Sequence, residues 1–153
     1  MDLTVRNYKL WRGGSGAFSC TLYVDGRRAA LVMYDGKGGP FMLNWAPSDR
    51  MRCGGPLCTK VQAWVEALPR VCDPQTGILK RTLDSIIDKC IAEFLEAQQL
   101  RRWCRSKTVV RIPGDKEGTY RTWSWLPTSK LRKHIEARYP GAEILNDRFD
   151  LTA

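Results

Sequence analysis

The sequence predicts an α+β protein, one domain over residues 1–153, built from an N-terminal antiparallel β-meander, a central long amphipathic helix, and a C-terminal β-hairpin plus helix. Three observations predict it. Phe18, Cys20, Leu22 and Val24 alternate with Ser19, Thr21 and Tyr23, the period of a half-buried strand, and lead directly into Asp25-Gly26. From Ile78 to about Arg105 an apolar stripe recurs at helical spacing with no Pro or Gly to interrupt it. The order of elements is strands, two helices, strands and a helix, which does not alternate as a doubly wound parallel sheet requires.

The meander begins with a strand over residues 3–11, broken by Gly13-Gly14-Ser15-Gly16. The Phe18–Val24 strand turns at Asp25-Gly26, a strong hairpin signal because a type I′ turn needs positive φ at both central residues. The returning run, Arg27 to Tyr34, ends at Asp35-Gly36-Lys37-Gly38-Gly39-Pro40, and Phe41–Trp45 is a fourth candidate strand. Residues 46–58, rich in Pro, Gly and Cys, read as a loop. Val61, Trp64, Val65 and Leu68 then fall at i, i+3, i+4 and i+7, a short amphipathic helix stopped by Pro69. Residues 73–77 read as a turn.

The long helix carries Leu79, Leu83, Ile86, Ile87, Cys90, Ile91, Phe94 and Leu95 on its apolar side, with Lys80, Asp84, Asp88, Lys89, Glu93 and Glu96 facing away. Lys107–Ile112 and Thr119–Trp125 predict a second hairpin around residues 113–118. Trp123 and Trp125, two apart, are expected on one strand face: inward they are core, the preferred reading for a domain of this size, and outward they form a stacking platform. Thr128 or Ser129 offers an N-cap for a last helix carrying Leu131, Ile135 and Tyr139, stopped by Pro140-Gly141.

The net charge is +9, and it is concentrated. Between Arg101 and Arg138 eleven Lys/Arg stand against Asp115, Glu117 and Glu136, a net +8 that leaves +1 for the rest of the chain. A basic segment of this kind suits nucleic acid or an acidic protein surface. Part of it has a structural role as well, since Arg101, Arg102 and Arg105 close the long helix where cations oppose its dipole.

Residue types for common chemistries are sparse. His134 is the only histidine and neighbours Lys133, and no HExxH, GxSxG, P-loop or GxGxxG pattern occurs. Cys53, Cys58 and Cys72 lack the second well-spaced pair of a structural zinc site. Asp84 with Asp88, and Asp115 with Glu117, read as solvated charges and not as converging metal ligands. Gly36, Lys37, Gly38 and Gly39 do not open a helix, so they read as a hairpin turn and not as a phosphate cradle. The N-terminus lacks the apolar run of a signal peptide, and no run of about 18 apolar residues occurs. The expectation is therefore no enzyme activity, no cofactor, no metal, no membrane contact, and cysteines kept reduced.

What remains is the interleaving of cations with Trp103, Tyr120, Trp123 and Trp125, a mixture able to pair phosphates and stack bases. The candidate binding residues are Arg101, Arg102, Arg105, Lys107, Arg111, Arg121, Lys130, Arg132, Lys133 and Arg138.

Two stretches carry a family resemblance. Residues 18–26 (FSCTLYVDG) with 35–39 (DGKGG), and residues 107–122 (KTVVRIPGDKEGTYRT), resemble small uncharacterised proteins of bacteriophages, prophages and plasmids. With the helices between, the resemblance covers most of the chain. It implies a non-enzymatic accessory protein of a mobile element, acting in the cytoplasm of a bacterial host cell. It implies an anti-defence role of the anti-CRISPR type, in which the basic C-terminal surface binds and inhibits a host defence nuclease. A basic protein would contact the nuclease or its guide or target nucleic acid. The alternative is a nucleic-acid-binding accessory protein of a phage or plasmid.

Overall fold

The computed structural model describes residues 1–13, 16–46, 55–73, 77–79 and 81–149, and the chain divides into two compact units, Met1–Phe94 and Leu95–Ala153. The architecture is mixed α+β. A four-stranded antiparallel sheet comes first, then a long helix, then a small three-stranded sheet and a helix.

In the first unit β1 (Leu3–Leu10), β2 (Phe18–Val24), β3 (Arg27–Tyr34) and β4 (Met42–Trp45) lie in sequence order, the predicted meander. The β2–β3 turn has Asp25 at φ 49° and Gly26 at φ 76°, the paired positive values that a type I′ turn demands. A Cβ on Gly26 would meet no atom within 4 Å. Gly26→Ala therefore has only a conformational cost, about 1 kcal/mol, and a urea midpoint unchanged from wild type would contradict it.

β1 holds a bulge that the sequence does not announce. Pairing with β2 shifts register between Arg6 and Lys9, and Asn7 sits at φ 55°. Asn tolerates that region. The extra residue lets Leu3, Val5 and Tyr8 all face inward, where Tyr8 packs against Phe18 with ring centroids 5.0 Å apart. A second irregularity, between Leu22 and Tyr23, leaves both Ala29 and Ala30 buried.

The inner sheet face is covered by two helices. α1 (Pro56–Glu66) starts inside the expected loop because Pro56 is preset for the first helical turn. It buries Cys58, Val61 and Val65. Residues 47–54, with Cys53, fall outside the described residues. Cys72 belongs to β5 (Val71–Asp73), which pairs antiparallel with β6 (Gly77–Leu79), a small hairpin not expected from the sequence; residues 74–76 of the expected turn are outside the described residues.

α2 spans Leu83–Cys104 and starts later than Ile78. A reciprocal cap fixes its beginning. The Ser85 backbone N–H donates to Thr82 Oγ1 (3.1 Å), and the Thr82 N–H donates to Ser85 Oγ (3.1 Å). Ile87 and Ile91 are buried against the sheet, with Leu83, Ile86, Cys90 and Phe94 beside them, and the Cys90 thiol donates to the Leu3 carbonyl (3.2 Å). Leu95, expected in the stripe, is exposed.

Candidate nucleic-acid interface

The second unit is built around β7 (Thr108–Arg111), central in the order β8-β7-β9, with β8 (Arg121–Trp123) and β9 (Glu143–Ile144) antiparallel on either side. α3 (Ser129–Arg138) is capped by Thr128, whose hydroxyl accepts from the Leu131 N–H at 3.2 Å. A 3-10 helix, Leu145–Phe149, follows β9.

Alternation along β7 assigns the faces. Val109 meets Leu100, Cys104 and Leu145, with Trp103, Tyr120 and Phe149 around them, on the side of the α2 C-terminus. Val110 shares the opposite face with its register partner Arg121 and with Trp123. There Trp123 packs edge-on to Tyr139, the C-cap of α3, at 6.4 Å.

Asn146 locks this arrangement. Buried, it accepts from the Val109 N–H (2.9 Å) and donates from Nδ2 to the carbonyls of Cys104 (2.9 Å) and Lys107 (2.7 Å). The Cys104 carbonyl is one of those that a helix end leaves unbonded. One side chain thus ties the end of α2, the α2–β7 turn and β7 together.

Eight of the ten candidate cations fall in two strips on this frame, and the other two, Arg111 and Arg121, lie on β7 and β8. Arg101 and Arg102 lie on the last turn of α2, with Arg105 and Lys107 in the turn that follows. Lys130, Arg132, Lys133 and Arg138 lie on α3. Because the α2 terminus and α3 flank opposite faces of the sheet, the structure does not gather all ten into one patch.

Half of them are engaged locally. Arg132 forms a bidentate pair with Asp147 (2.6 and 2.7 Å). Arg121 reaches Asp115 at 3.3 Å and lies 4.8 Å above the Tyr139 ring. Arg111 donates to the Tyr120 hydroxyl (3.4 Å), which itself donates to Glu96. Burial, then the bond to Glu96, raises the Tyr120 pKa and keeps the phenol a donor. Arg138 and Arg101 sit over the rings of Tyr139 and Phe149, each at 5.7 Å, a contact that leaves guanidinium N–H groups free for phosphate. Arg102, Arg105, Lys107, Lys130 and Lys133 are exposed and have no carboxylate partner among the described residues.

Trp125 departs from its inward expectation. β8 ends at Trp123, so the two rings do not share a strand face. Trp123 is half-buried, whereas Trp125 is 69% exposed beside Leu126 at 53%. The Trp125 carbonyl accepts from the buried Thr108 hydroxyl, which anchors the backbone and leaves the indole outside.

Asp147 gives the unit an acid sensitivity. Hydrogen bonds from Arg132 hold its carboxyl below the ordinary value of 3.8. The folded pKa lies below the unfolded one, so the pair adds stability above the unfolded pKa that is lost as pH falls through the lowered value. Chemical denaturation of Asp147→Asn is expected to show a shallower loss of stability below about pH 4 than wild type; parallel acid profiles would contradict this.

The carboxylates weighed for catalysis do not converge. Asp84 is in the first turn of α2, Asp115 is paired with Arg121, and Glu117 is exposed. His134 is exposed on α3. Among the described residues no three His, Cys, Asp or Glu side chains gather around a point. No helix among them is long and apolar enough to cross a membrane.

No protein-family model matches the chain, and no match is found among curated proteins or among solved structures. Asn146 was not legible as part of the site, because its partners Val109, Cys104 and Lys107 are brought in by the fold and not by neighbouring sequence.

Proposed function

We propose that this protein acts by binding nucleic acid through the basic surface of its second unit, without catalysing a reaction on it. One observation carries the reading: Arg102, Arg105, Lys107, Lys130 and Lys133 are exposed and lack carboxylate partners among the described residues. Cations not neutralised by their own protein are those that displace counterions from a phosphate backbone. The ring-stacked Arg101 and Arg138 add guanidinium groups held in place at low entropic cost. Binding is tested by titrating labelled oligonucleotides at several salt concentrations, as described in the Discussion.

A second reading, inhibition of a host defence nuclease in the manner of an anti-CRISPR protein, is favoured by a different feature. Trp125 and Leu126 form an exposed apolar pair, and tryptophan and arginine are the residues that most often anchor protein interfaces. A pull-down of tagged protein from bacterial host lysate, with and without nuclease treatment, separates the two. One protein recovered in both conditions, and lost with Trp125→Ala, supports the inhibitor. Nucleic acid with many associated proteins, all lost after nuclease treatment, supports the first reading.

A further inference from the structure

We infer that the outer face of the four-stranded sheet is a separate binding surface for single-stranded nucleic acid. It rests on the proposal that the protein binds nucleic acid, but on none of the second unit's cations.

Sheet register assembles this surface from residues far apart in sequence. Antiparallel partners share a face. On the outer face Tyr23 pairs with Thr4 and Arg28, Thr21 with Arg6 and Leu31, and Ser19 with Lys9 and Met33. Between them lies a depression of about 310 Å³, lined by Asn7, Lys9, Ser19, Thr21, Tyr23, Arg28 and Leu31. Arg6 borders it, with its guanidinium 4.7 Å above the Tyr23 ring.

The chemistry of the face selects the occupant. The four strands contain no Asp or Glu, yet bring Arg6, Lys9 and Arg28 to the outer side. Charge complementarity therefore calls for an anion. The Ser19 hydroxyl and the Asn7 amide add neutral donors and acceptors of the kind that contact sugar and phosphate. At the edge, Trp11 is 47% exposed, its indole Nε1 donating to Ser19 Oγ at 3.3 Å. That bond holds the ring beside the depression as a stacking surface. Cations tracking a backbone beside an aromatic platform are the recognition mode for single strands, whose bases are free to lie on a ring. A ring that stacks needs bases free of a duplex, so the single strand is the occupant that fits. The Asn7 bulge serves the same surface, since bulges bend a strand and re-aim its side chains.

The test uses the full chain, fluorescein-labelled oligothymidine of about ten nucleotides, and a duplex of the same length. The triple variant Arg6→Glu, Lys9→Glu, Arg28→Glu is expected to weaken oligothymidine binding at least about tenfold, and Trp11→Ala to weaken it about tenfold. Lys130→Glu with Lys133→Glu is expected to weaken it less. Photocrosslinking of an iodouracil oligonucleotide to wild-type protein, mapped by peptide, needs no variant and is expected to mark peptides from β1 to β3. The inference is overturned if wild type does not bind oligothymidine, if the triple variant binds it as wild type does, or if crosslinks fall only in residues 95–149. Wild type that binds duplex but not oligothymidine leaves the second-unit reading standing and overturns this one alone.

Discussion

Asn146→Ala is expected to destabilise the second unit by about 2–5 kcal/mol, because two buried backbone groups and one partly buried one lose their partner at once and each stranded buried group costs roughly 1–3 kcal/mol. The groups are the Val109 N–H and the carbonyls of Cys104 and Lys107. Asn146→Asp is a sharper test. It keeps an acceptor for Val109 but presents a buried carboxylate to two carbonyls with no proton to donate, so at neutral pH it should be at least as damaging. Urea denaturation gives the magnitude, and hydrogen exchange at the Val109 amide gives the location. Wild-type stability with slow Val109 exchange in Asn146→Ala would remove Asn146 from its central place.

Reversing charge on α3 is the second large effect. Lys130→Glu with Lys133→Glu removes two cations from exposed positions that have no ion-pair partner among the described residues, so folding should be unchanged within about 0.5 kcal/mol. Affinity for duplex DNA should fall roughly 100-fold at moderate salt, and the salt dependence should be shallower by about two contacts. Arg132→Glu is a poor substitute, since it also breaks the bidentate pair with Asp147 and would mix a stability loss into the binding result. Unchanged duplex affinity in the Lys130/Lys133 variant would exclude the α3 strip from the interface.

Local signals carried most of the fold. Asp25-Gly26 specified its hairpin because the type I′ turn is decided by two residues, and the Phe18–Val24 alternation became β2 at the same boundaries. The apolar stripe of α2 was readable from Leu83 to Phe94 because each position contributes to one helix face. Its start was not, because the Thr82–Ser85 cap looks weaker in sequence than the apolar run before it. β5 and β6 are three residues each, too short for periodicity to register.

The candidate site was legible as composition and not as geometry. The charge of residues 101–138 is visible at once, but its division into two strips depends on which face of β7 each helix covers. Trp125 lies outside, against the preferred inward reading, because strand alternation ends with β8 at Trp123. Arg6, Lys9 and Arg28 are scattered in a part of the chain whose net charge is small, and only sheet register brings them together.

The most direct test of nucleic-acid binding is fluorescence anisotropy of a labelled duplex titrated with wild-type protein across a range of salt concentrations. A linear fall of log affinity with log salt, with a slope near −0.9 for each phosphate contacted and a shallower slope for the Lys130/Lys133 reversal, is the predicted result. No binding at low salt, or binding indifferent to salt, would contradict it and leave the exposed Trp125–Leu126 pair as the better guide to a partner.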